Sequence, residues 1–312
     1  MNSKLPLAKL KVLEKIFSSC TKIIYIKTYG KPDVIHVHNM IYAGLFVSHK
    51  KHLFKIPVIY TEHSSEYAMH EIVTEISSQL QVLYDTEQNI YAVSPELISL
   101  LENKFSVPNT IKWLPNVIDP VIERTPLSTV NSTNNKTRFL SIGNLIPLKG
   151  HIDLINAFAI AFSSVDDVEL IIAGSGVLEN DLLQLISKLK LTQKVKLIGQ
   201  INRQEVVNQL DQCDVFVLPS HYETFGVVLI EALSRGVPVI STYCGGPECI
   251  VDDTNGKLVA PKNVHQLSDV LLNMHKNYDS YNKFELRKNV IERFGKEAFY
   301  NQIISIYNSV IQ

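Results

Sequence analysis

The chain has little that would staple, anchor or metallate it. Its 312 residues hold only four cysteines, Cys20, Cys213, Cys244 and Cys249, and no C-x-x-C spacing. That excludes a disulfide framework and a thiolate zinc cluster, and reduced thiols in a cytoplasmic protein are expected. No apolar run approaches the roughly 18–20 residues of a membrane span. The opening stretch KLPLAKLKVLEKIF is broken throughout by lysine, so it carries no signal-peptide core. No Asp-x-Asp occurs anywhere, so the usual paired-carboxylate grip on a divalent cation is missing and no metal is expected. A net charge of −1 gives no whole-chain argument for a nucleic-acid partner.

What is present is an ordinary globular composition, 46% hydrophobic and 20% charged, at a length that suits two domains. The charge is uneven. Residues 1–55 carry ten lysines against Glu14 and Asp33. Leu10, Leu13 and Phe17 fall on one helical face among those lysines. A core helix or a peripheral contact with an anionic membrane surface would both fit that pattern.

From Asp33 to Pro261, short β-branched runs alternate with helical patterns. DVIHVHN (33–39), PVIYTEH (57–63), NIYAVS (89–94) and IKWLPN (111–116) read as buried parallel strands. A polar stretch over 123–136 reads as a linker. A second series follows: TRFLSIGN (137–144), VELIIAGSG (168–176), VKLIGQ (195–200), VFVLPS (215–220) and PVISTY (238–243). The expectation is an α/β protein with two Rossmann-like, doubly wound parallel-sheet domains, 1–122 and 137–296. Residues 297–312 read as a final helix with Phe299, Ile303, Ile306 and Val310 on one face. By pattern alone it could pack on either domain.

In doubly wound sheets ligands bind at the carboxyl ends of the strands, and the unusual residues cluster there. After VFVLPS the chain passes His221, Tyr222 and Glu223 into a helix read as starting near Thr224 or Phe225. Its first N–H groups lack internal partners, and Gly226 would let a ligand approach them. Glu231 lies seven residues beyond Thr224 in an otherwise apolar helix. Two partners suit this buried carboxylate: Arg235 four residues on, or a ribose diol of an extended ligand whose phosphates meet the helix amides. SIGNLIPLKG (141–150) brings Lys149 to a helix entrance, where it can hold a diphosphate. CGGPE (244–248) adds a close backbone approach at Gly245 and Gly246.

These stretches, together with YAVSPEL, LPNVID, LIIAGSG and VKLIGQI, resemble the retaining GT-B glycosyltransferases of family 4, from Pro32 onward. The hallmark of that family is a pair of glutamates separated by seven residues, here ETFGVVLIE. The resemblance implies a hexosyltransferase that moves a sugar from a UDP- or GDP-linked donor to a hydroxyl of a glycan or lipid-linked acceptor. The setting would be bacterial surface polysaccharide synthesis at the inner face of the cytoplasmic membrane. It further implies that Glu223 contacts the donor sugar, Glu231 the ribose and Lys149 the diphosphate, with Gly143, Asn144, Thr224, Phe225 and Gly226 around them. His63 would lie beside the sugar, Gly199 and Ile201 beside the base, and the last helix on the N-terminal domain.

Two departures stand out. Asn144 occupies a position that is often arginine in the family. The chain also begins in the helix ahead of PDVIHVH, without the family's usual first strand and glycine-rich loop. Two rival readings follow. One is a non-catalytic GT-B partner subunit or remnant. The other is a zinc hydrolase using His36 and His38, which alternate on one strand, with His63.

Overall fold

The computed structural model describes residues 30–48, 55–68, 74–127 and 136–311. The basic N-terminal stretch with Leu10, Leu13, Phe17 and Cys20 lies outside them, as does most of the linker. Among the described residues the first sheet is parallel and four-stranded, ordered β1 (Ile35–His38), β2 (Val58–Glu62), β3 (Ile90–Ala92), β4 (Ile111–Trp113). Its connections are a π turn, Met40–Gly44, running into α1 (Leu45–Ser48), then α2 (Thr74–Thr86) and α3 (Pro95–Phe105). Ser94 caps α3 by accepting from Leu97 N at 3.1 Å, with Pro95 in the first turn.

The second sheet has six parallel strands. These are β5 (Thr137–Ile142), β6 (Val168–Ala173), β7 (Val195–Leu197), β8 (Val215–Leu218), β9 (Val239–Thr242) and β10 (Gly256–Val259), ordered β10-β9-β8-β5-β6-β7. The order reverses between β5 and β8, which makes that boundary the switch point of a doubly wound fold. Strand residues alternate between two cores, as the pleat requires. Leu140, Ile171, Phe216 and Val239 face a core shared with α7 (Arg203–Asp211), α8 (Val227–Ser234) and α10 (Lys283–Phe294). Phe139, Ile172, Val217 and Ile240 face α5 (His151–Ala161), α6 (Glu179–Lys188) and α9 (Val264–Asn277).

Three readings of the sequence need correction. The strand at 239–242 is not the last: β10 follows, short and carrying Gly256 and Lys257, too weak a pattern to register. The stretch starting at 123 is not all linker, because α4 (Pro120–Arg124) runs into it, capped by Asp119 through Val121 N at 2.8 Å. Helix α8 starts at Val227 rather than at Thr224 or Phe225, with Gly226 as its N-cap at φ +93°.

The last helix, α11 (Lys296–Ile311), lies on the first sheet. Ile303 is buried with Ile59, Tyr91 and Leu114, flanked by Phe299, Ile306 and Val310. Gln302 Nε2 donates to the Trp113 carbonyl at 3.0 Å, and Ile118 N to the Phe294 carbonyl at 2.9 Å. The two sheets are therefore tied by the crossover at 114–126 and by the α10–α11 corner. No helix among the described residues is long and apolar enough to cross a membrane.

Candidate active site

Everything at the switch point follows from where β5 and β8 end. Beyond β5 come Gly143 and an exposed Asn144, a 3-10 turn over Pro147–Lys149, and Gly150, which opens α5. Gly150 has φ +67°, and a Cβ there would overlap the Pro219 carbonyl at the end of β8. That contact lets the lysine turn lie against the β8 turn, where His221 N donates to the Leu148 carbonyl at 2.8 Å. The pairing of His221 Nε2 with Asp153 Oδ2 at 2.7 Å fastens the same turn to α5.

Glu223 is the centre of this arrangement. Lys149 Nζ donates to its Oε1 at 2.5 Å, and Ser220 Oγ to the same oxygen at 2.8 Å. Its backbone is clamped by the glycine turn after β9: Glu223 N donates to the Cys244 carbonyl at 3.0 Å, and Gly246 N to the Glu223 carbonyl at 2.8 Å. A side chain on Gly246 would run into the backbone of Phe225. So the close approach read from CGGPE is made to the Glu223 strand of this chain. The loops after β5, β6 and β7 lie side by side as well, since Gly174 N donates to the Gly199 carbonyl at 2.8 Å and Leu145 N to the Ser175 carbonyl at 2.9 Å. Ile201, just beyond Gly199, packs on the core next to α7.

Glu231 sits one turn into α8 and is 1% exposed. Since α8 begins at Val227, it lies about one helical turn from the free amides rather than two. Its partner is not Arg235. Arg203 Nη1 bonds Glu231 Oε1 at 3.0 Å, while Arg203 Nε reaches Asp119 Oδ2 at 3.3 Å. Burial pushes the Glu231 carboxyl up to about 7, with Arg203 opposing the shift and Asp119 adding to it. Arg235 turns the other way, to Asp211 Oδ1 at 2.6 Å and to the carbonyls of Thr125 and Pro126.

His63 lies apart, on the first domain just after β2. It joins His38 through Nε2···Nδ1 at 2.9 Å. Burial, with the His38 charge, lowers its pKa to about 4, against a hydrogen bond to the Asn116 side chain that favours the protonated ring. Glu62 next to it is fully buried and accepts four bonds, from Met40 N and Tyr67 Oη at 2.8 Å and from His63 N and Ser64 N at 2.7 Å. The carboxylate holds the turn that presents His63. The zinc reading meets an obstacle at His36, whose two ring nitrogens are engaged by Tyr307 Oη at 3.0 Å and Thr61 Oγ1 at 2.7 Å. Among the described residues, no group of three His, Cys, Asp or Glu could hold a metal ion.

The structure thus brings Lys149, Glu223, Thr224 and Gly226 together at the strand ends with Gly143 and Asn144, whereas the Phe225 ring points into the core against Phe294 and leaves only its backbone toward a ligand. Glu231 lies deeper, Gly199 and Ile201 flank the crevice, and His63 stands on the other domain. The two sets of strand ends approach each other where Glu96, in the first turn of α3, comes close to Glu248 and Cys249 of the turn after β9. Ser220, Arg203, Asp119, Glu62 and Asn116 were missed from sequence. Asp119 ahead of Pro120 is a legible helix cap; the others carry no local signal.

The family model for Glycosyl transferases group 1 matches residues 127–293, and that for Glycosyltransferase Family 4 matches residues 4–121. The chain belongs to the group 1 glycosyltransferases. It is 27% identical over 298 residues to N-acetyl-alpha-D-glucosaminyl L-malate synthase of Bacillus anthracis, covering 90% of this chain and 75% of that protein. A protein in the cps region of Klebsiella pneumoniae is 27% identical, covering 92% and 82% of the two chains. Among solved structures, Anabaena Alr3699/HepE in complex with UDP matches with TM-score 0.80 at 21% identity, over 92% of this chain and 81% of that one. Sucrose-phosphate synthase of Thermosynechococcus elongatus matches with TM-score 0.79 at 19% identity, over 98% and 80%. The group 1 glycosyltransferase described here has the GT-B fold of these neighbours, and it is an enzyme of that class.

Proposed function

We propose that this glycosyltransferase takes a UDP- or GDP-linked sugar as donor and transfers the sugar, with retention, to a hydroxyl of a glycan or lipid-linked acceptor. The observation that carries the reading is the Lys149–Glu223–Ser220 cluster at the switch point, against the N-terminus of α8. An ammonium and unpaired helix amides suit a diphosphate, and a buried-edge carboxylate suits sugar hydroxyls. In the free protein Lys149 and Glu223 satisfy each other. Donor binding would draw Lys149 toward phosphate and leave Glu223 oriented by Ser220. Asn144 contributes no charge, so Lys149 and the α8 amides carry the leaving diphosphate, and no metal is required of the site.

Chemistry follows from that placement. The bond from the anomeric carbon to the diphosphate breaks while the acceptor oxygen attacks from the same face. The departing phosphate oxygen takes the acceptor's proton, and the amides and Lys149 stabilise its charge where it develops. His63, neutral at physiological pH because its pKa is lowered to about 4, would serve the sugar by exchanging its bond to His38 for one to a sugar hydroxyl. Bacterial surface glycan synthesis is the setting favoured by the cps-region relative. The test is a donor panel of UDP- and GDP-sugars with glycan and lipid-linked acceptors, read by nucleoside diphosphate release. Release with one donor, lost in Glu223→Ala, supports the reading; no release with any member of the panel counts against it.

A further inference from the structure

The ribose end of the crevice has a second layer. Glu231 belongs to α8, Arg203 to the first turn of α7, and Asp119 is the N-cap of α4 in the crossover between the domains. One guanidinium therefore bonds two carboxylates from two other elements, at 3.0 Å to Glu231 and 3.3 Å to Asp119. Arg203 is itself 57% exposed, while the Glu231 side chain is 2% exposed. The carboxylate is buried and its counter-ion stands at the surface. Arg203 and Asp119 are the charges that act on Glu231, and three further charged groups near α8 are engaged elsewhere. Arg235 turns to Asp211, Arg287 of α10 donates to the carbonyls of Ser234 and Glu123, and Glu123 of α4 accepts from Lys296 N. Strands β8 and β9, packed beneath α8, bring no charged residue.

We propose that Arg203 is a positioning residue for the nucleotide, holding Glu231 ionised and aimed so that the carboxylate can accept both hydroxyls of a ribose. This rests on the donor-site reading of Glu231. A protonated Glu231 would keep one good acceptor oxygen and present a donor that a diol does not need. A buried carboxyl without a nearby cation takes up a proton instead of remaining charged. Asp119 works in the opposite sense. It draws the guanidinium away from Glu231 and adds a like charge, so the crossover that carries Asp119 is coupled to the nucleotide site.

The arrangement gives two variants of opposite sign. Arg203→Gln removes the cation and should move the protonation of Glu231 to higher pH. Asp119→Asn keeps a good helix cap, frees Arg203 for Glu231 and should move it to lower pH. Binding of UDP-glucose and GDP-mannose would be titrated from pH 5.5 to 8.5, because over that range their diphosphate diesters and the N–H groups of their bases keep a constant charge. Whichever sugar nucleotide the parent binds is then followed in Arg203→Gln, Arg203→Lys and Asp119→Asn. The expected result is about a tenfold loss of affinity in Arg203→Gln at pH 7 that recovers toward pH 8.5, as for one charged hydrogen bond. Arg203→Lys should restore most of the affinity, and Asp119→Asn should bind more tightly than the parent below pH 7. Loss by the same factor at every pH, or unchanged profiles in a parent that binds, would overturn the role of Arg203 alone. Absence of binding by the parent at any pH would overturn the donor-site reading beneath it.

Discussion

Replacing Arg235 by methionine is the sharpest check on the packing around the site. The guanidinium is fully buried, donating through Nε and Nη2 to Asp211 Oδ1 at 2.8 and 2.6 Å. It also donates to the Thr125 carbonyl at 2.5 Å and the Pro126 carbonyl at 2.7 Å. Methionine fills similar volume but leaves Asp211 and these carbonyls without their donor. Breaking a buried pair from one side costs ~3–5 kcal/mol. For domains of this size that corresponds to a drop in Tm of roughly 6–20 °C. Thermal and urea melts of the variant measure it, and a double-mutant cycle apportions it. Coupling between Arg235 and Asp211 should reach ~1–3 kcal/mol, and coupling between Arg235 and Glu231 should stay below ~0.5 kcal/mol despite their four-residue spacing. A Tm change under about 2 °C, or the larger coupling to Glu231, would refute the assignment of Arg235 to the crossover.

Other perturbations read the crevice itself. Glu223→Ala should reduce transfer at least about tenfold while leaving nucleotide affinity nearly intact, and Glu231→Ala should weaken nucleotide binding directly, since each removes a charged hydrogen bond to a different part of the donor; equal, small effects in both would contradict the division of roles. Gly150→Ala places a side chain at φ +67° against the Pro219 carbonyl. The conformation alone costs about 1–2 kcal/mol, so the variant should melt lower and bind nucleotide less well; a silent substitution would show that the Lys149 turn does not rest on β8. His151 is 1% exposed and its pKa is lowered from 6.5 to about 4 by burial and by Lys149. It is neutral in the folded state, and the unfolded chain takes up the proton first, so its stability contribution is full above pH 6.5 and falls as pH drops toward 4. His151→Leu should therefore lose roughly 2 kcal/mol less than the parent between pH 7 and pH 5 in urea melts; parallel profiles would refute this.

The two βα series were legible because β2, β3, β6, β8 and β9 are apolar runs buried along their whole length, and such runs need no tertiary information to be seen; β1, β4 and β7, read as buried too, are partly exposed and were visible only by their place in the alternation. Their ends were read one to three residues too long: Gly143 and Asn144 after β5, and Pro219 and Ser220 after β8, were taken into the strands but turn away in the structure. The helix at ETFG was placed early for a related reason. Thr224 and Phe225 look like a first turn, yet the chain only bends there after the Glu223–Gly245 bridge, and Gly226 makes the break before the helix. Lys149, Glu223 and Gly226 could be read from sequence because the strand-end rule gathers them. Arg203 could not, since its partners Glu231 and Asp119 are far along the chain and meet only when α7 and α4 pack beside α8. Arg235 was the nearer cation in sequence and the wrong one in space. Helical spacing permits a pair but does not choose it when a carboxylate, Asp211, and open carbonyls compete.

The central claim is that the switch-point crevice binds a nucleoside diphosphate through Lys149 and the amides of α8. The most direct measurement is a thermal-melt titration with UDP and with GDP in the presence of EDTA, on the parent and on Lys149→Ala. At a hundred times the dissociation constant a ligand adds about 2.7 kcal/mol to the folded state, a shift that a melt resolves. The account predicts an upward shift with one of the two nucleotides in EDTA and its loss in Lys149→Ala. No shift with either nucleotide, or the same shift in the variant, would contradict it.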